Sequence, residues 1–188
     1  MKENTIINIP NTITTLRMLL VIPTVYFLIN DLYIAATALF IIAAISDVID
    51  GFLAKKLNQI TKFGTILDPI ADKILINYTI FIFTIKNDIP QFLFFIIFTK
   101  DIILIIGSTA EIFSQKNAQN TKIKASIFGK ISTFFQVLLI LFILIYQLKI
   151  YINNTLIYIL VWTVAVSSII ALLAYTENFR KIFKGANI

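Results

Sequence analysis

Four aspartates, Asp47, Asp50, Asp68 and Asp72, fall within the stretch "SDVIDGFLAKKLNQITKFGTILDPIADKI" (46–74) of a chain that is otherwise strongly apolar. On a helix turning about 100° per residue, Asp47, Asp50, Gly51 and Ala54 share roughly a third of a turn. Two carboxylates therefore lie on one face with two very small residues. Gly64, Asp68 and Asp72, spaced by four, make a matching face on the next helix. The connection "KKLNQITKF" is short enough to bring the two faces together. Four carboxylates in one place form an oxygen-rich site without sulfur or imidazole, which suits hard ions such as Mg²⁺ or Mn²⁺. Two divalent ions would neutralise it, and a carboxylate-held metal pair is machinery for phosphoryl and phosphodiester chemistry. Gly51 and Gly64 let a phosphate-bearing group approach the backbone, and Lys55, one turn beyond Gly51, is placed to reach a phosphate. Two aspartates at i, i+3 alone describe a solvated helix end, and a single glycine alone a packing contact. The joint spacing D-x2-D-G-x2-A-K-x8-G-x3-D-x3-D inside apolar helices is what points to chemistry.

The elements that must position these residues are membrane helices. Of the 188 residues, 59% are hydrophobic and 17 are Phe, far above the roughly 45–50% apolar usage of soluble domains; the mean hydropathy is +0.90. Apolar runs near the ~20 residues needed to cross a bilayer are predicted at 13–31, 33–54, 66–85, 91–113, 126–148 and 152–175. The fold class expected is all-α: a polytopic membrane protein of six transmembrane helices with a short interfacial N-terminal segment, all one domain over 1–188. Pro10-Asn11-Thr12 interrupt the first run and no small-x-small cleavage site follows it, so it reads as a retained span rather than a signal peptide. Residues 176–188 read as a polar basic tail.

Composition also excludes. There is no cysteine and no histidine, which removes disulfides, thiolate metal sites and the usual zinc ligand and general base. Lys2, Lys55, Lys56, Lys62, Lys116, Lys122, Lys124, Arg180, Lys181 and Lys184 fall on one side of a six-span topology, and Lys86 and Lys149 on the other. By the Lys/Arg bias of short loops, both termini and the 55–65 and 113–126 loops are expected to be cytoplasmic. The net charge of +6 is explained by a basic rim at an anionic leaflet, and no nucleic acid is needed as a partner.

The acidic spacing resembles the signature of the CDP-alcohol phosphatidyltransferase family, D-x2-D-G-x2-A-R-x8-9-G-x3-D-x3-D. It matches at every defined position except Lys55, where the family usually has Arg; Lys keeps the charge but loses the bidentate fork. The resemblance implies that Asp47, Asp50 and Asp68 ligate two divalent ions, with Asp72 assisting as ligand and serving as general base. It implies a cytidine diphosphate head over Gly51, Ala54 and Gly64, attack of an acceptor hydroxyl on the β-phosphorus of CDP-diacylglycerol, and departure of CMP. It also implies a homodimer with its site open to the cytoplasmic leaflet, for a bacterial chain the inner membrane.

"NIPNTITTLRMLLVIP" (8–23) is similar to the opening segment of bacterial phosphatidylglycerophosphate synthases and of CMP-forming cardiolipin synthases, and "LNQITKFGTILDPIADK" (57–73) is similar to both. Asn11, Thr14 and Arg17 share a helix face at i, i+3, i+6, as contacts to the nucleotide or a phosphate, or as an interfacial anchor. "FTKDIILI" (98–105) and "SIFGKISTFFQ" (126–136) resemble segments in which those families carry cations. Lys100 and Lys130 are charges in apolar spans, expensive unless they face a polar cavity, and with Arg17 they are the candidates for the acceptor's phosphate. For Lys130, snorkelling is the rival reading. Lys73 is expected to be structural, and an internal Lys100–Asp101 salt bridge is not guaranteed by adjacency.

The leading expectation is transfer of a phosphatidyl group to sn-glycerol 3-phosphate, giving phosphatidylglycerophosphate. The alternative within the family is a CMP-forming cardiolipin synthase with phosphatidylglycerol as acceptor, a subfamily that "IPQFLFFIIFTKDIILI" (89–105) resembles at least as much. A divalent-cation transporter is the alternative of another class. It would put polar groups on both halves of the bilayer, whereas here the non-cytoplasmic halves are nearly free of charge.

Overall fold

A computed structural model describes the backbone of residues 9–56, 62–114 and 127–185, with side chains described at 12–47, 49, 70–107 and 127–176. Six helices occur in this order: α1 (Ile9–Ile29), α2 (Tyr33–Lys56), α3 (Lys62–Ile85), α4 (Gln91–Ser114), α5 (Ile127–Gln147) and α6 (Asn154–Gly185). No strand occurs among the described residues. Thr12–Ile29, Ile127–Gln147 and Asn154–Thr176 are each long and apolar enough to cross a membrane. The other three helices carry charge inside their apolar runs: Asp47 and Asp50, then Asp68, Asp72 and Lys73, then Lys100 and Asp101.

Two expected boundaries move. Pro10-Asn11-Thr12 open α1 instead of interrupting a span, because a proline in the first turn lacks only an N–H that would have had no helical partner. The expected polar tail continues α6 as helix to Gly185. Its residues, "ENFRKIFKG", include no proline to end the helix. The interfacial N-terminal segment expected before Ile9 lies outside the described residues, as does most of the 113–126 loop.

The chain divides into two compact units: α1–α3 with Leu144–Ile150, and α4–α6 without that stretch. In the first, α1 packs against both α2 and α3. Its buried stripe is Thr14, Arg17, Val21, Thr24 and Leu28; that of α2 is Ala36, Phe40 and Ala43, with Asp47 next in the same spacing. Small residues at the contact let helix backbones approach closely in a membrane domain. Counted outward from Leu32 in the turn, Arg17 and Asp47 stand at equal distance along antiparallel helices. The heptad register of an apolar interface thus carries one cation and one carboxylate to the same rung.

Helices α1, α3 and α5 each end on a non-glycine residue with positive φ two positions beyond the helix: Asp31 at 59°, Asn87 at 63° and Lys149 at 61°. After α1, the Leu32 N–H bonds back to the Phe27 carbonyl at 2.9 Å, the closing bond of a Schellman cap. Asp31 accepts hydrogen bonds from the Lys86 ammonium and from the Tyr33 hydroxyl, the latter at 2.7 Å. Lys86 Nζ also lies 5.3 Å from the Tyr33 ring centroid. Lys86 first and Tyr33 second hold the Asp31 carboxyl below its ordinary range. Partial burial pulls the Lys86 ammonium down, but the bonds to Asp31 and Tyr33 outweigh it and leave Lys86 raised.

Candidate active site

In the first unit, Arg17 is 1% exposed and its Nη1 donates to Asp47 Oδ1, while the Asp47 side chain is 44% exposed. A guanidinium held inside the helix packing thus grips a carboxylate that reaches outward. Asp72 on α3 is also partly exposed, and Lys73 Nζ stands 3.5 Å from its Oδ2 with the Lys73 side chain buried. Thr14, one turn before Arg17, is fully buried on the same stripe. Asn11 lies in α1 at the same spacing, but its side chain is outside the described residues. So are those of Asp50, Gly51, Ala54 and Lys55 on α2, and of Gly64 and Asp68 on α3.

The residues expected at a divalent-metal pair fit that role in their donor chemistry. Every candidate ligand is a carboxylate, as a hard ion requires. The two described ones, Asp47 and Asp72, are partly exposed and each has a cation beside it. Among the described residues no three such groups gather, since only these two of the four aspartates have described side chains.

The second unit holds a polar layer between α4, α5 and α6. Lys100 and Asp101 are 1% and 2% exposed, with Lys100 Nζ 3.0 Å from Asp101 Oδ1. The pair that adjacency alone does not guarantee is therefore formed. Lys100 Nζ also donates to Ser132 Oγ at 3.3 Å, and Ser132 Oγ lies 3.0 Å from Ser168 Oγ. Gln136 Nε2 donates to both serines, at 3.3 and 3.4 Å. Ser132, Gln136 and Ser168 are fully buried. Toward the N-terminus of α5, Gly129 lies under the buried Tyr175 of α6: a Cβ there would overlap the phenol oxygen and stand 2.9 Å from Cζ. Lys130 is exposed, on another face of α5 from Ser132.

Reading the charges finds Lys100 but misses Ser132, Gln136 and Ser168. A signal for them exists: Ser132 and Gln136 are i, i+4 on an apolar helix, and Ser168 continues the buried spacing of Val161, Val164 and Ala165 on α6. Small hydroxyls and amides at core register in a membrane helix are the usual glue between helices.

Comparison with known proteins bears on the same residues. Residues 7–172 match the family model of the CDP-alcohol phosphatidyltransferases. A CDP-diacylglycerol–glycerol-3-phosphate 3-phosphatidyltransferase of Aquifex aeolicus is 38% identical over 133 residues, 68% of this chain and 70% of that one. One of Wigglesworthia glossinidia brevipalpis is 33% identical over 180 residues, 92% and 93% of the two chains. One of Escherichia coli K12 is 42% identical over 72 residues, 37% of this chain and 40% of the relative. The match spans the acidic helices α2 and α3, Arg17 before them, and the Lys100 layer after them. With its six helices and its aspartates in the signature spacing, the chain belongs to the CDP-alcohol phosphatidyltransferase family.

Proposed function

We propose that the protein transfers a phosphatidyl group from CDP-diacylglycerol to sn-glycerol 3-phosphate, forming phosphatidylglycerophosphate and releasing CMP. The observation that carries this is the relative named for that reaction that matches 92% of the chain, together with the intact aspartate spacing on α2 and α3. Asp72 takes the proton of the acceptor hydroxyl as its oxygen bonds to the β-phosphorus of CDP-diacylglycerol. The bond from that phosphorus to the oxygen bridging it to the α-phosphate breaks, and the electron pair leaves with CMP. Mg²⁺ or Mn²⁺ ions held by Asp47, Asp50, Asp68 and Asp72 would supply charge stabilisation for the phosphate oxygens. Arg17, read from sequence as a contact to the acceptor's phosphate, also orients Asp47, to which it is bonded. Gly51, Ala54 and Gly64 leave room for the cytidine diphosphate, with Lys55, Asn11 and Thr14 beside it, and Lys100 and Lys130 meet the acceptor's phosphate.

The enzyme works as a homodimer in the bacterial inner membrane with its termini in the cytoplasm; the Lys/Arg distribution supports that orientation. The test is Mg²⁺-dependent CMP release in mixed micelles containing CDP-diacylglycerol, with glycerol 3-phosphate or phosphatidylglycerol as acceptor. Release with glycerol 3-phosphate is expected. Release only with phosphatidylglycerol would move the protein to cardiolipin synthesis, and ion flux without CMP would favour a transporter.

A further inference from the structure

The surroundings of Lys100, in the proposed acceptor set, are built from three helices, and the hydrogen bonds there have a forced direction. Ser132 Oγ receives Lys100 Nζ and Gln136 Nε2, both of which can only donate. Its two lone pairs are then spent, so its own proton points to Ser168 Oγ at 3.0 Å. Gln136 Nε2 reaches Ser168 as well, at 3.4 Å, which ties the second serine to the same amide. The Ser132 hydroxyl is therefore held from α6 and from the next turn of α5, with its acceptor side turned to the ammonium.

Such a layer is a poor way to gain stability alone. Its hydroxyls and amide join helices, but a buried ion pair such as Lys100–Asp101 is weak evidence for stability, since apolar replacement of such pairs is often neutral or stabilising. Gln136 Oε1 is buried with no hydrogen-bond partner among the described residues, and the amide is committed through Nε2 to the two serines. Its effect is to fix one atom, Lys100 Nζ.

We infer that Ser132, Gln136 and Ser168 are positioning residues for the acceptor step: they hold the Lys100 ammonium where it meets an anionic acceptor, and so set the preference for a phosphate-bearing alcohol. The inference rests on the acceptor reading proposed above. It assigns these residues no contact with CDP-diacylglycerol.

The experiment measures KM for glycerol 3-phosphate and for CDP-diacylglycerol separately, with melting temperature, in the full-length protein and in Ser132→Ala, Ser168→Ala and Ser132→Thr. Losing a hydrogen bond to a charged group is worth about tenfold or more, so Ser132→Ala should raise KM for glycerol 3-phosphate by about that factor. Its KM for CDP-diacylglycerol should stay within about twofold. Ser168→Ala should show a smaller shift of the same kind, and Ser132→Thr, which keeps the hydroxyl, should recover most of the loss. Unchanged constants, equal rises for both substrates, or losses that only track a fall in melting temperature would overturn the inference. If the wild-type protein releases CMP only with another acceptor, the glycerol 3-phosphate reading fails by itself. The same comparison on that acceptor's KM then decides the positioning role: a selective rise keeps it, an unselective one ends it.

Discussion

Asp72 and Asp47 sit at equivalent places in the sequence spacing, but their neighbours give them different work. Asp47 is held by a buried guanidinium, whereas the described cation beside Asp72 is Lys73 at 3.5 Å, and Asp72 is the base of the reaction proposed above. A general base contributes on the order of a hundred- to ten-thousandfold, so Asp72→Asn should lower CMP release by about that range and leave the melting temperature near wild type. Wild-type turnover in that variant would remove Asp72 from the role. Asp101→Asn should behave in the opposite way. It leaves the buried Lys100 charge without its counter-ion, costs about 3–5 kcal/mol, and shows first as a lower melting temperature. At this scale the sequence is legible wherever a residue is charged in an apolar run. The partners of those charges are not legible, because Arg17–Asp47 and Lys100–Ser132 join positions 30 and 32 residues apart through helix register that charge spacing alone does not specify.

Helix ends and helix contacts define the next scale. Lys149 holds φ at 61° without the short polar side chain that eases this conformation in Asp31 and Asn87. Lys149→Gly should therefore raise stability by about 1 kcal/mol, read as a higher melting temperature in detergent. At the other turn, the depressed Asp31 pKa contributes stability that is present above the unfolded carboxyl value and lost as pH falls through the folded one. Lys86, raised, contributes below its unfolded value and loses that contribution only as pH rises through the folded one. Wild-type melting should thus fall on acidification more than that of Asp31→Asn. Where α5 meets α6, Gly129→Ala would push a methyl into the Tyr175 hydroxyl and cost about 1–3 kcal/mol, part of which Tyr175→Phe should restore. Helix existence and order follow from apolar run length, which places five of the six helices within a few residues at both ends. The end of α6 does not, because a basic helical tail reads as a break to hydropathy, and the first-turn proline moves the start of α1 to Ile9.

Along the whole sequence, lysine and arginine fall mostly on one side of the expected six-span topology, and the chain lacks cysteine, so single introduced cysteines report orientation cleanly. Lys149→Cys should be labelled by a membrane-impermeant maleimide from outside intact cells, and Lys184→Cys only after permeabilisation. The reverse pattern would invert the topology and put the aspartate ends of α2 and α3 on the wrong face for a cytoplasmic nucleotide lipid. Family membership was legible in the aspartate spacing because that spacing is itself the chemical requirement: carboxylates and glycines at fixed helix angles around a phosphate. The leading acceptor, sn-glycerol 3-phosphate, was read from cations in apolar spans, and the relatives named for that reaction agree with it; the neighbours of those cations were not legible. The most direct measurement follows labelled glycerol 3-phosphate into the lipid phase while counting CMP. One label entering lipid for each CMP released, with Mg²⁺ and CDP-diacylglycerol present, is the predicted result; CMP released with the label left in water would contradict the account.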